Sequence, residues 1–528
     1  MIMDAIAKKH TGSFYTCNSI ADYITKWAID RPEQCVLEPS FGDGIFIDSA
    51  ILRFAELGNF NPQIIGVEMQ KEPYKLYMER HASILGFQMD FMDYRSNTKI
   101  NAVIGNPPYV RLKKLKSNER EKVLHLINSY NVDMQTSSSL WLPFIIHSTE
   151  LLQPNGKLGF VLPYEITHVR YAFALWKYLS KNYGKITVCR IYRDFFPNVD
   201  VETIIFLAEE KGKTTDHVCY NVYETITDLY KNKIKKSSRI LITDIISLKK
   251  PFEYEQMPKS VIDILQELHQ NKLLSLFIKD CKFKIGYVSG NKDFFHLSKE
   301  VMQQFNINSK NTKKCLINAK QITANTGNGI ETKGINTYSH LFFPVDIGDG
   351  ENNYIKYGES QGINKGYKCS GRDPWYLTPC LEIPDVILTV FGDVPKLLMN
   401  NGDFYVSNSL LSGISKVSSK EIICRWYNSL TLLSVELKIH SLGGGTLVLI
   451  PGETDKLEII SNFPKEKIES TYAKLANFAQ FNKTEDIYTY GDKIVLQEIY
   501  GLSDKKIENI KKALSILRSW RNTEKRRA

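Results

Sequence analysis

No Cys-x-x-Cys pair occurs among the nine cysteines, and an odd, scattered set argues against both a disulfide framework and a structural zinc site. No apolar run approaches the ~18 residues that a membrane span needs. The strongest, Leu140–Ile146, is about two helical turns long. The opening MIMDAIAKKHTGS lacks the apolar core and cleavage site of a secretory signal, so the expected compartment is the cytoplasm and no membrane is expected as a partner. Internal repeats, low-complexity tracts, a helicase-type P-loop and a convincing Pro-Asp…Asp/Glu-x-Lys nuclease pattern are all missing. What remains is ordinary globular composition, 43% hydrophobic and 24% charged over 528 residues, a length that calls for two or three domains.

The net charge of +10 is unevenly spread. Residues 1–210 hold 23 basic and 23 acidic side chains, so residues 211–528 carry 45 against 35 and the whole excess. A neutral half joined to a basic half suits a small-molecule-binding module attached to one that grips nucleic acid.

Residues 1–210 alternate short apolar runs (Cys35–Leu37, Ile64–Val67, Ala102–Gly105, Leu158–Leu162, Thr187–Ile191, Thr203–Ala208) with helix-like stretches. Runs that are apolar almost throughout predict strands covered on both faces, hence a doubly wound, mostly parallel α/β sheet of Rossmann type. The helical spacing of Leu140–Leu152 predicts a helix stopped by Pro154-Asn155-Gly156. After Glu210 the polar KGKTTD predicts a hinge, and Lys231–Arg239 forms a dense basic run. Residues 211–528 then read as a mixed α+β region with Asn- and Gly-rich loops, ending in a helical segment over about 465–520. Its last helix starts at Ser503-Asp504 and carries Ile507, Ile510, Leu514 and Leu517 on one face.

Four motifs carry chemistry. Val36-Leu37-Glu38-Pro39-Ser40-Phe41-Gly42-Asp43-Gly44 is a strand ending in an acid, then a Gly-x-Gly turn opening a helix. Position 47 is Ile47, so the dinucleotide fingerprint fails, and the acid suits a positively charged ligand better than a pyrophosphate. Ile64–Glu68 is a second strand ending in a carboxylate, able to accept two ribose hydroxyls. In Met89-Asp90-Phe91 a carboxylate beside an apolar ring could hold an adenine amino group. Finally, the apolar strand at Asn101–Gly105 runs into Asn106-Pro107-Pro108-Tyr109. Two prolines stiffen that loop and remove two amide donors. The Asn106 side-chain oxygen and the Pro107 carbonyl can then accept from a planar amino group, with the Tyr109 ring to stack on it.

The order of these motifs resembles the gamma class of S-adenosylmethionine-dependent, adenine-specific DNA methyltransferases of restriction–modification systems. Thr11–Thr16 looks like that family's N-terminal cofactor motif, although Cys17 stands where the family often has proline. The resemblance spans residues 10–210 and continues weakly in Lys368–Pro379 and Ser441–Pro451, which look like target-recognition segments. It implies a catalytic domain over residues 1–210 and a DNA target-recognition region over 211–528. Tyr15, Thr16, Glu38, Gly42, Gly44, Glu68, Met69, Asp90, Phe91, Asn106, Pro107 and Phe144 would hold S-adenosylmethionine. Asn106, Pro107 and Tyr109 would form the catalytic loop, and Phe196 would clamp the base. It also implies duplex DNA as partner, action as a monomer, no metal, and an endonuclease that is either a separate polypeptide or absent. An RNA amino-methyltransferase, a protein glutamine methyltransferase and an inactive DNA-binding relative are the alternatives; the long basic extension disfavours the first two and the intact loop the last.

Overall fold

The computed structural model describes residues 16–81, 84–192, 202–247, 250–326, 329–379, 381–441 and 446–521. The chain divides into two compact units, the first closing at Glu255 and the second beginning at Gln256.

The first unit is built on one nine-stranded sheet. In chain order its strands are β1 (Cys35–Glu38), β2 (Gln63–Glu68), β3 (Leu85–Gln88), β4 (Ile100–Gly105), β5 (Leu152–Pro163), β6 (Tyr183–Ile191), β7 (Thr203–Lys211), β8 (His217–Tyr223) and β9 (Lys236–Leu241). They lie in the order β3-β2-β1-β4-β5-β7-β6-β8-β9. The strands from β3 to β5 are parallel, while β7 runs antiparallel to both β5 and β6. Helices α1 (Asn18–Ala28), α2 (Ile45–Glu56), α3 (Lys71–Met78), α4 (Ser117–Ser129), α5 (Trp141–Leu151) and α6 (Phe173–Asn182) belong to this unit. The apolar strands are buried because helices cover them: Ile20, Ile24 and Ala28 of α1 share one core with Val36 of β1, Ile47 and Phe54 of α2, and Ile104 of β4.

The sheet extends past the boundary that the sequence suggested. KGKTTD is a turn, with Glu210 and Gly212 at φ +62° and +97°. β8 then pairs in parallel with β6, and β9 closes that edge. Strand turns and interdomain hinges share the same polar, glycine-containing composition, which is why a hinge was expected there. The basic run at Lys231–Arg239 leads into and forms this edge strand. Lys235 pairs with Glu224 and Lys236 lies 3.5 Å from Glu255, so two of its charges are occupied and the row of lysines blunts an open sheet edge. Residues 1–255 hold 32 basic and 29 acidic side chains, so +7 of the +10 belongs to residues 256–528. The helix expected over Leu140–Leu152 spans Trp141–Leu151, but a strand follows it at once and already contains Pro154. Pro154-Asn155-Gly156 instead forms an irregularity inside β5, where the register against β4 jumps from Ile100↔Leu152 to Ala102↔Lys157.

The second unit contains four small sheets among its described residues: one of two strands, two of four and one of three. One four-stranded sheet orders Cys281–Ile285, Leu410–Ser415, Val386–Thr389 and Leu397–Met399. Helices Ser419–Trp426, Ser429–Lys438, Ile468–Phe481, Thr484–Gly491 and Asp504–Arg521 follow. Ile507, Ile510, Leu514 and Leu517 are all buried. The last helix is further held by Arg518 and Arg521, which both pair with buried Glu436. Among the described residues no helix is long and apolar enough to cross a membrane.

Candidate active site

Strand order reverses between β1 and β4, the switch point at which open α/β sheets take their ligands, outside the carboxyl ends of the strands. Glu38 ends β1, Glu68 ends β2, Asp90 follows β3, and Asn106 follows β4. Strand periodicity alone therefore brings four residues scattered over 69 positions to one edge of the sheet.

The turn after β1 has a specific shape. Gly44 takes φ +84°, in the left-handed region, as the residue preceding α2. A Cβ there would lie 1.9 Å from the Tyr77 ring, which is itself fixed by a 2.7 Å bond to Asp48 and by stacking on His81. Glu68 braces this turn. Its two carboxyl oxygens accept from the backbone amides of Gly42 (2.9 Å) and Gln70 (2.7 Å), so one carboxylate ties the Gly-x-Gly turn to the end of β2. Met69, beside it, is exposed.

Glu38 is only 2% exposed, and one of its oxygens has no hydrogen-bond partner among the described residues. Burial, with the nearby Asp43 charge adding to it, lifts its pKa well above the usual carboxylate range. A buried acid in this state gains an ionic partner when a cation arrives, so the site is matched to a positively charged group.

Asp90 has two partners. One oxygen caps the amide of Met92 (3.0 Å), and the other pairs with Lys122 of α4 at 2.7 Å. Each oxygen keeps acceptor capacity beyond one bond. Phe91 is buried, 5.0 Å from the ring of Phe144 on α5 and 4.8 Å from that of His147. His147 underlies this aromatic floor. Its Nε2–H donates to the Tyr94 carbonyl (3.0 Å), so its Nδ1 accepts from the Tyr130 hydroxyl (2.9 Å). Burial holds its pKa down, at about 4. The unfolded chain takes up this proton near pH 6.5 and the folded chain only near 4, so stability is full above 6.5 and is lost as pH falls through that window. Unfolding by urea at pH 6.5 and pH 5 should differ by about 2 kcal/mol from this group, and a His147→Gln variant should lack that difference.

The Asn106–Tyr109 loop is anchored on both sides. The Asn106 side-chain Nδ2 donates to Thr16 Oγ1 at 3.2 Å, which presents the amide oxygen as an acceptor, and the Tyr109 hydroxyl donates to the Val161 carbonyl of β5 at 3.1 Å. Beyond it, Arg111 donates to Glu165 (2.8 Å) and to the Tyr171 hydroxyl (2.7 Å), while Trp141 and Tyr171 also bond Glu165. This network escaped the sequence reading. Arg111, two residues past Tyr109, was its one local signal.

Thr16, Glu38, Gly42, Gly44, Glu68, Asp90, Phe91, Asn106, Pro107, Tyr109 and Phe144 all belong to the first unit. Tyr15 and Phe196 lie outside the described residues. The segment containing Phe196 is flanked by β6 and β7, and Arg190 of β6, itself buried, pairs with Glu202 immediately before β7.

The chain matches the family model of the Eco57I restriction-modification methylase over residues 51–195. Residues 249–496 match that of the C-terminal domain of Type II methyltransferase M.Eco57I. It is similar to Type II methyltransferase M.AccI of Acinetobacter calcoaceticus, 24% identical over 73% of this chain and 72% of that protein. It also resembles Type II methyltransferase M.BstVI of Geobacillus stearothermophilus, 31% identical over 33% of this chain and 37% of that protein. The chain thus spans most of the first relative and under two-fifths of the second. In fold it is similar to the Type IIL restriction-modification enzyme MmeI, solved in complex with DNA, with a TM-score of 0.55, 12% identity, and coverage of 95% of this chain and 72% of that one.

Proposed function

Because the chain belongs to the gamma-class DNA methyltransferases of restriction–modification systems, we propose that it methylates the exocyclic 6-amino group of adenine in duplex DNA, with the target base swung out of the helix. The methyl donor in this reading is S-adenosylmethionine, and the residues present fit it. Glu38, a buried acid with an unsatisfied oxygen, would take the cationic amino acid end. Glu68 would take the ribose hydroxyls, Asp90 the adenine amino group, and Phe91 and Phe144 the apolar faces. Bound there, the cofactor supplies an electrophilic methyl group on a sulfonium.

The rest of the chemistry falls to the protein. An adenine amino nitrogen is a poor nucleophile because its lone pair is delocalised into the ring. The Asn106 oxygen and the Pro107 carbonyl would each accept one of its N–H bonds, favouring the pyramidal geometry that frees the lone pair and stabilising positive charge as it grows. The nitrogen becomes acidic only after methylation, so no strong base is needed beforehand. Tyr109, its hydroxyl tethered to β5, and Phe196 would stack on the extruded base and replace roughly 1–3 kcal/mol of stacking lost from the duplex.

The placement of Asn106–Tyr109 at the end of β4, tied to Thr16 and beside Glu38, carries this reading. The enzyme works as a monomer in the cytoplasm, and its endonuclease, where one exists, is a separate chain. Tritium from labelled S-adenosylmethionine should enter duplex DNA and neither total RNA nor a protein extract. Preferential labelling of RNA or protein would overturn the assignment.

Glu68→Ala should weaken S-adenosylmethionine binding about 30-fold in calorimetry, since it removes the ribose acceptor and strands the Gly42 and Gln70 amides. Unchanged affinity would remove Glu68 from the cofactor site.

A further inference from the structure

Immediately after the catalytic loop the chain makes a short 3-10 turn, Leu112–Lys114, before α4 begins at Ser117. Lys113, Lys114 and Lys116 are exposed. Among the described residues none of the three has an ion-pair partner, whereas Lys122, Lys157, Lys185 and Lys235 of the same unit are paired with Asp90, Asp30, Glu209 and Glu224. The neighbouring acids are already engaged. Glu119 accepts the Lys116 backbone amide and Glu121 accepts the Ser117 hydroxyl.

The turn is also rigidly placed. Leu112 is fully buried, its amide donates to the Ser138 carbonyl at 2.8 Å, and the Leu140 amide donates to Val110 at 2.8 Å. Arg111 adds its bonds to Glu165 and Tyr171. Three uncompensated cations are therefore held within seven residues of Tyr109, on a segment that cannot drift from the catalytic loop. Holding like charges together unpaired costs stability through repulsion, a cost that a polyanion would relieve.

We infer that Lys113, Lys114 and Lys116 form a phosphate-binding surface for the DNA strand that carries the target base. This rests on the proposed function and amends the charge partition, because the duplex is then gripped from the catalytic unit as well as from the basic remainder. Each phosphate contact contributes about −0.9 to the slope of log affinity against log salt. The full-length variant K113Q/K114Q/K116Q should therefore show a slope shallower by about 2–3 units and duplex affinity at least ~30-fold weaker at low salt. Its S-adenosylmethionine affinity should stay unchanged, and the triple arginine variant should keep the wild-type slope. Neutral methylphosphonates beside the target base, on its own strand, should weaken the wild type but not the glutamine variant. A glutamine variant with the wild-type salt slope, or one weakened as much as the wild type by methylphosphonates, would overturn the inference while the wild type still methylates DNA. A wild type that transfers no methyl group to duplex DNA would overturn the functional reading itself, and this surface with it.

Discussion

Asn106→Ala should lower kcat for methyl transfer by about 10³-fold or more while S-adenosylmethionine binds within a few-fold of its normal affinity. The side chain sits at the end of β4 with its amide nitrogen committed to Thr16, and in the proposed reaction its oxygen would accept from the reacting amine. Removing one positioned group that stabilises developing charge costs about 10²–10³ in kcat, and here the amine also loses half of its orientation. A drop in kcat without loss of cofactor affinity is the signature of an interaction made in the transition state. Parallel calorimetry and single-turnover assays would show it. Turnover within about tenfold of wild type would remove Asn106 from the chemistry.

Gly44→Ala should cost about 3 kcal/mol of stability and most of the cofactor affinity. The residue holds φ +84°, which an alanine adopts at a cost of order 1 kcal/mol or more. Its Cβ would also lie within 1.9 Å of a Tyr77 ring that cannot turn aside without breaking its bond to Asp48 and its stacking on His81, an overpacking cost of roughly 1–3 kcal/mol. Displacing Tyr77 shifts the turn that Glu68 braces, so thermal melting and calorimetry should change together. A melting temperature within ~1 °C of wild type would show that the turn tolerates a side chain.

Local patterns made much of the first unit legible. The runs at Cys35–Leu37, Ile64–Val67 and Ala102–Gly105 lie within β1, β2 and β4, because a strand buried on both faces must be apolar throughout. The acids that end β1 and β2 stood out for the same reason, as charges that interrupt apolar runs. Contacts between distant residues left no such mark. The Asp90–Lys122 and Arg111–Glu165 pairs join residues 32 and 54 positions apart, and no periodicity encodes them. β8 was missed because its partner β6 lies earlier in the chain, beyond an intervening antiparallel strand, and β9, which pairs with β8, was hidden in the basic run. In the second unit, strands of two to six residues spread over four small sheets are too short for period-two patterning to rise above chance.

The target atom can be read directly. Genomic DNA from a methylation-free host expressing the protein, digested to nucleosides and resolved by mass, should contain N6-methyladenine that disappears in the Asn106→Ala host. Sequencing the same DNA should place that mark at one recurring sequence. Methylated cytosine instead, or DNA without any added methyl group, would contradict adenine methylation as the activity of this chain.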